Sequence, residues 1–212
     1  PAFVSLVKKQ FPGLAENVSH NMSPMATIAK RIKELDPDAK TVFIGPCTAK
    51  KAEFQLPEVH KYVDCVLTFE ELQAMFDSRE LDITSMEESE LNDASGFGRI
   101  FAHCGGLAAA AAEALREQGS DFDLKPLSCD GIEECRAALL KASRGKLDAN
   151  FVEGMACMGG CVNGAGNMVH SDANRVKVDS FSKKAHTQNI KDSLDIAVTE
   201  FDSAVSGGGE GQ

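Results

Sequence analysis

The chain has 212 residues, 43% of them hydrophobic, with a formal net charge of -10 and a pI near 5.0. That is enough apolar material for a full core in one large domain or two joined lobes. The acidic balance argues against a nucleic-acid footprint, and no run of about 18 apolar residues is available to span a bilayer.

Pro1 leads at once into Ala2-Phe3-Val4-Ser5-Leu6-Val7-Lys8-Lys9, which reads as a helix already under way, so a piece of a longer protein is expected. Ser23-Pro24 supplies a cap and a first-turn proline for a second helix, whose stripe Met25, Ile28, Ala29, Ile32 and Leu35 runs until Asp36-Pro37. The period then changes. Thr41 to Ile44 is a short apolar run suited to a buried strand, and it delivers Cys47 just past its end. Val63 to Leu67 predicts a second strand, followed by a helix from Thr68 with Glu71 placed for a capping box. Glu87-Glu88-Ser89-Glu90 reads as a solvated loop. Gly105-Gly106 precede an alanine-dense helix from Leu107 to Glu117. Leu124 to Cys129 predicts a third strand, Ile132 to Ala142 a helix, and Asn150 to Gly154 a fourth strand leading to Cys157. A last helix is expected from about Asn189 to Ala204, and Ser206 to Gln212 has the glycine-rich composition of a flexible tail.

Strand and helix alternate, so the expected fold is α/β. We expect two intertwined lobes with largely parallel sheets flanked by helices, and a site between them at the carboxyl ends of the strands. Residues 1–205 are expected to form the functional unit and 206–212 the tail.

The chemistry concentrates in two segments. In Met155-Ala156-Cys157-Met158-Gly159-Gly160-Cys161-Val162-Asn163-Gly164-Ala165-Gly166, two thiols stand four positions apart among four glycines. Thiolates bind iron, and residues without side chains let backbone N–H groups approach the sulfurs of a bulky anionic cluster. In Gly45-Pro46-Cys47-Thr48-Ala49-Lys50-Lys51-Ala52-Glu53, a third thiol is followed by two ammonium groups and a carboxylate. Seven cysteines is an odd number for a disulfide framework, and this clustering fits iron–sulfur ligation in a reducing compartment, hence the cytoplasm. Zinc is disfavoured because structural zinc sites commonly use two close cysteine pairs, and there is no second one. Cys65, Cys129 and Cys135 read as small buried hydrophobes, and Cys104 beside His103 lacks the further partner a nucleophile needs.

These segments resemble the catalytic domain of the iron-only (FeFe) hydrogenases, in its C-terminal part. Pro46 to Glu53 resembles the second signature segment of that family and Met155 to Gly164 the third, with Tyr62 to Leu72 and Ser95 through Gly106-Leu107 similar in order and spacing. Pro1 resembles the proline that follows the two cysteines of the first segment. The resemblance implies that Cys47, Cys157 and Cys161 hold a 4Fe-4S cluster, Cys161 also bridging to a two-iron subcluster that carries CO, cyanide and a dithiolate. Lys50 is implied as a hydrogen-bond donor to cyanide, Glu53 and Ser19 as members of a proton relay, and Phe101, Met155, Gly159 and Gly160 as walls of the cofactor site. It further implies an oxidoreductase that interconverts dihydrogen with protons and electrons. An electron carrier such as ferredoxin and hydrogenase maturation proteins would be its partners, in an anaerobic setting. The piece itself is expected to be inactive for want of one cubane ligand, and prone to self-associate through an exposed sheet edge.

Several positions depart from the family's pattern. Gly45 stands where catalytic members commonly carry methionine, Met25 where they carry glutamine, Cys104 in a G-x-T-G-G run, and Asn167-Met168 in place of glutamine-proline. These departures suggest a divergent branch. Two alternatives follow: a hydrogenase-like iron–sulfur scaffold or assembly protein, and a hydrogen- or redox-sensing domain without efficient turnover.

Overall fold

The computed structural model describes residues 1–89 and 94–194. Two parallel two-stranded sheets organise it. β1 (Val42–Gly45) pairs with β2 (Cys65–Thr68), Val42 opposite Cys65 and Gly45 opposite Thr68, while β3 (Pro126–Asp130) pairs with β4 (Phe151–Met155), Pro126 opposite Phe151 and Asp130 opposite Met155. The expected α/β architecture with parallel sheets is present.

All four strands begin one or two residues later than their apolar runs, and side-chain hydrogen bonds explain the delay. The Thr41 N–H goes to Asp64 Oδ2 at 2.8 Å, so the first ladder opens at Val42. Asn150 Oδ1 accepts from Lys125 N at 2.7 Å, a side chain taking a ladder partner's place, and the second sheet opens at Pro126 and Phe151.

Each sheet has its own core. Around the first, α2 (Pro24–Leu35) buries Met25, Ala26 and Ala29 with Val59, Val63 and Val66. Ser23 Oγ caps α2 by accepting from Ala26 N at 3.4 Å, as its position before Pro24 predicts. Around the second, α1 (Ala2–Gln10) and α8 (Ile132–Ser143) bury Leu6, Val7, Cys129, Cys135, Ala138 and Leu139. Between these helices in chain order lie α3 (Ala49–Glu53), α4 (Pro57–His60), α5 (Phe69–Ser78), α6 (Gly96–Arg99) and α7 (Gly106–Glu117). The Thr68–Glu71 capping box of α5 is complete, with Glu71 N to Thr68 Oγ1 at 3.2 Å and Thr68 N to Glu71 Oε2 at 2.8 Å.

Three short helices, α3, α4 and α6, and one longer one have no counterpart among the expected elements. α9 (Ala173–Ser182) is polar on most of its surface and lacks an apolar stripe; it is held by tertiary contacts instead, including the Arg99 guanidinium 4.0 Å over the Phe181 ring. Residues 190–194 are helical, while the rest of the expected last helix, Glu90 of the acidic loop and the tail 206–212 lie outside the described residues. On β1, Val42 and Ile44 stand exposed, an apolar face of a sheet.

Candidate metal centre

The two cysteine-bearing segments leave their sheets in the same way. β1 ends at Gly45 and β4 at Met155, and in each case a cysteine follows two positions later, Cys47 and Cys157. The carboxyl ends of parallel strands are where α/β folds gather ligands, because the chain turns there and leaves a crevice.

The glycine-rich segment after Cys157 then crosses from one sheet to the other. Gly166 N donates to Pro46 O at 2.9 Å, and Gly166 O accepts from Glu70 N at 3.4 Å. Gly164 is required by close approach, since a Cβ there would stand 2.3 Å from Pro46 O. Gly160 is required twice over: its φ of +92° is costly for any residue with a side chain, and a Cβ would meet Cys104 N at 2.6 Å. These glycines therefore fit backbone to backbone, bringing Cys157 and Cys161 toward Cys47.

The three thiols are linked electrostatically. Burial pushes the Cys157 thiol up, and the neighbouring Cys47 adds to it, while the Ala165 N–H opposes. Burial also raises Cys161, with Cys47 and Cys157 adding and the Pro1 amine and Lys50 pulling the other way. Cys157 and Cys161 thus lie in the field of Cys47, and Cys161 also in that of two cations. This donor set fits an anionic cluster held by thiolates: metal displaces the protons that burial otherwise keeps in place, and the cations offset the charge. Among the described residues, no three His, Cys, Asp or Glu side chains converge on a single-ion site.

Lys50 is 9% exposed, at the start of α3. Its ammonium lies 2.7 Å from Glu53 Oε2 and 3.0 Å from Ser23 Oγ, with the Phe43 ring centroid 5.7 Å away. The contact with Glu53 is an ion pair of poor hydrogen-bond direction, for Glu53 Oε2 is buried and accepts no well-formed hydrogen bond. Of the hydroxyls considered, the one beside Lys50 is Ser23, which the sequence marked only as a cap. Ser19 lies exposed in the turn before α2, accepting from Asn21 N at 3.3 Å. Phe101 is half-buried in the 3-10 turn before α7, and Met155 is half-buried at the end of β4, its carbonyl accepting from Gly131 N at 2.8 Å.

Two supporting groups were missed. Glu153 is 2% exposed and takes Gly105 N at 3.0 Å, Ala108 N at 2.9 Å and Ser128 Oγ at 3.3 Å, so a buried carboxylate caps α7 from inside β4. Its signal was a carboxylate inside an apolar strand run. His103 is buried, with Nε2 3.0 Å from Asp179 Oδ1 and Nδ1 2.9 Å from Cys104 O, and it backs the Gly160 turn. The Cys104 thiol is pushed up to about 11 by burial and by Asp130 and Glu153, which rules against a nucleophile at neutral pH.

A family model described as the iron only hydrogenase large subunit, C-terminal domain, matches residues 1–165. The chain belongs to that family. It is 28% identical over 221 residues to iron hydrogenase 1 of Clostridium pasteurianum, covering 84% of this chain and 38% of that protein. It is also 28% identical to a periplasmic Fe hydrogenase large subunit of Nitratidesulfovibrio vulgaris, covering 80% of this chain and 50% of the relative. The chain therefore spans half or less of the length of these relatives. A cytosolic Fe-S cluster assembly factor of Kluyveromyces lactis is 34% identical over 85 residues, 40% of this chain and 18% of that protein. In fold, the chain is similar to an FeFe-hydrogenase from Chlamydomonas reinhardtii, with a TM-score of 0.70 at 18% identity, covering 96% of this chain and 69% of that one.

Proposed function

We propose that this chain carries three of the cluster ligands of an iron-only hydrogenase that interconverts dihydrogen with protons and electrons. The observation that supports it most is the meeting of Cys47, Cys157 and Cys161 in one electrostatic field beside the buried Lys50. In this reading residues 1–205 work as one unit, Cys47, Cys157 and Cys161 would hold a 4Fe-4S cluster, and Cys161 would also help to hold a two-iron subcluster bearing CO, cyanide and a dithiolate. That cofactor supplies the redox chemistry when bound.

The chain's own residues bind, orient and protect. Lys50 offers N–H donors to an anionic ligand in a site where water competes little, and Ser23 and Glu53 hold its ammonium in place. Glu53, mostly buried and close to the site, carries protons, with exposed Ser19 toward solvent as a second relay station. Phe101, Met155, Gly159 and Gly160 wall the cofactor. A ferredoxin-like carrier, maturation proteins and an anaerobic cytoplasm complete the reading; among the described residues, no helix is long and apolar enough to cross a membrane.

Anaerobic expression of the longer protein with maturation proteins tests this. Infrared bands of metal-bound CO and cyanide, lost in Cys161→Ser, are expected; their absence after complete iron loading overturns it. The similarity to the Fe-S cluster assembly factor favours a second reading, a scaffold that holds cubanes and binds partners without making hydrogen. A cubane electron-resonance signal without CO or cyanide bands supports the scaffold.

A further inference from the structure

Residues 77–89 are all exposed, yet hydrogen bonds hold the backbone between 79 and 86. Leu81 N donates to Phe76 O at 3.0 Å, and Asp82 Oδ1 accepts from Thr84 N at 2.9 Å, capping the 3-10 turn Ile83–Ser85. Ser85 Oγ donates back to Asp82 O at 2.8 Å. An open groove of about 520 Å³ is lined by Gln73 and Asp77 of α5 and by Glu80, Leu81, Asp82, Ile83 and Thr84 beyond it.

Two properties coincide there. Met75, Leu81, Ile83 and Met86 are 53%, 43%, 47% and 50% exposed, and none belongs to either core. Singly exposed apolar residues need no explanation, but Leu81 and Ile83 both line the groove, and Met75 and Met86 stand exposed close to them in the chain. Between residues 77 and 88 five carboxylates, Asp77, Glu80, Asp82, Glu87 and Glu88, stand against one guanidinium, Arg79. Thr84 holds the Asp82 carboxyl below its ordinary range, so this charge persists at neutral pH.

We propose that this groove is a docking surface for a basic protein segment, one that presents lysine or arginine around one or two apolar side chains. The carboxylates alternate with the apolar residues, so a purely apolar cover would bury charge without compensation. An anionic lipid surface or a nucleic acid would be repelled. A second copy meeting face to face would set the same carboxylates against each other. A cationic amphipathic segment satisfies both features, and so small a groove implies a weak, fast and salt-sensitive contact. The proposal is independent of the metal centre.

The test uses the cluster-free 212-residue chain and a short fluorescent peptide in which lysines flank a pair of leucines, followed by anisotropy. Binding is expected to weaken by about tenfold between about 50 and 300 mM salt. Asp77→Lys with Glu80→Lys should weaken it by a similar factor or more, whereas Glu16→Lys with Glu133→Lys, equal in charge and placed on other elements, should not. Leu81→Ser with Ile83→Ser should also weaken it, and circular dichroism checks that each variant folds. Equal loss in both charge-reversal pairs means diffuse attraction and overturns the proposal. So do no binding, indifference to Leu81→Ser with Ile83→Ser, capture of anionic vesicles by this face, or a dimer that Asp77→Lys with Glu80→Lys dissociates.

Discussion

Two groups of three cysteines lie within one small chain in different surroundings. Cys47 and Cys157 lie just past strand ends and Cys161 opens the 3-10 turn beyond, all partly exposed, and Cys161 feels the positive charge of Lys50 and the Pro1 amine. Cys129 and Cys135 are buried in the second core and Cys104 is half-buried, and burial, with carboxylates among Asp130, Glu134 and Glu153, raises all three. Burial raises members of both groups, so burial alone does not separate them. Neighbouring charge differs: cations favour the Cys161 thiolate, and carboxylates oppose those of Cys104, Cys129 and Cys135. Cys135, 0% exposed and directed at the Cys129 and Met155 carbonyls, behaves as a small hydrophobe with a weak donor.

That contrast can be broken most directly by exchanging serine for cysteine in each group. Cys161→Ser should abolish iron loading, measured as iron per chain after anaerobic reconstitution, while leaving the thermal midpoint of the cluster-free chain nearly unchanged. Cys135→Ser should keep the iron uptake of the parent chain and lower stability by about 2 kcal/mol, because it buries a hydroxyl in an apolar site. If Cys135→Ser also loses iron, the two groups are not separate.

Glu153 sharpens the acidic side of the comparison. Glu153→Ala strands the Gly105 and Ala108 amides and should cost about 3 kcal/mol in urea unfolding. Glu153→Gln keeps the side chain's size, removes its charge and should lower the Cys104 pKa from about 11, read as faster alkylation at a fixed alkaline pH.

The raised thiols also predict an alkaline limb. Cys135 is held up to about 12 against an ordinary value of 9.0, chiefly by burial. The folded state keeps its proton where the unfolded chain loses it, so this stability is complete below pH 9.0 and is lost as pH rises toward about 12. Urea midpoints taken across that range should fall, and Cys135→Ala should flatten the fall. At the acid end the sign reverses. Thr41 N–H and Lys33 hold Asp64 down to about 2 from 3.8, so its contribution is present above 3.8 and lost as pH falls through about 2. Asp64 is exposed, so solvent screens the pair, and Asp64→Asn should change the neutral midpoint little while weakening the acid limb.

Much of the fold was legible because local chemistry and period agreed. Ser23-Pro24, Thr68 with Glu71, and Gly105-Gly106 each announce a helix start that the structure contains. The four strand runs were legible too, but their first residues were not, because the Asp64 and Asn150 side chains that take ladder positions come from elsewhere in the chain. α9 was illegible for the same reason: its order comes from Arg99, His103 and the third segment's Asn163, not from its own pattern.

At the candidate site, the residue types and their spacing around Cys47, Cys157 and Cys161 were fixed by sequence, and with them the family. Whether those thiols could meet was not, since 110 positions separate Cys47 from Cys157 and only the paired sheets and the crossing glycine segment close that gap. Likewise, sequence sorted the thiols into candidate ligands and small buried residues by the segments they occupy, without showing which charges surround them. The tertiary structure supplied those charges, because a thiol's chemistry depends on the groups packed around it, and those are brought together by folding.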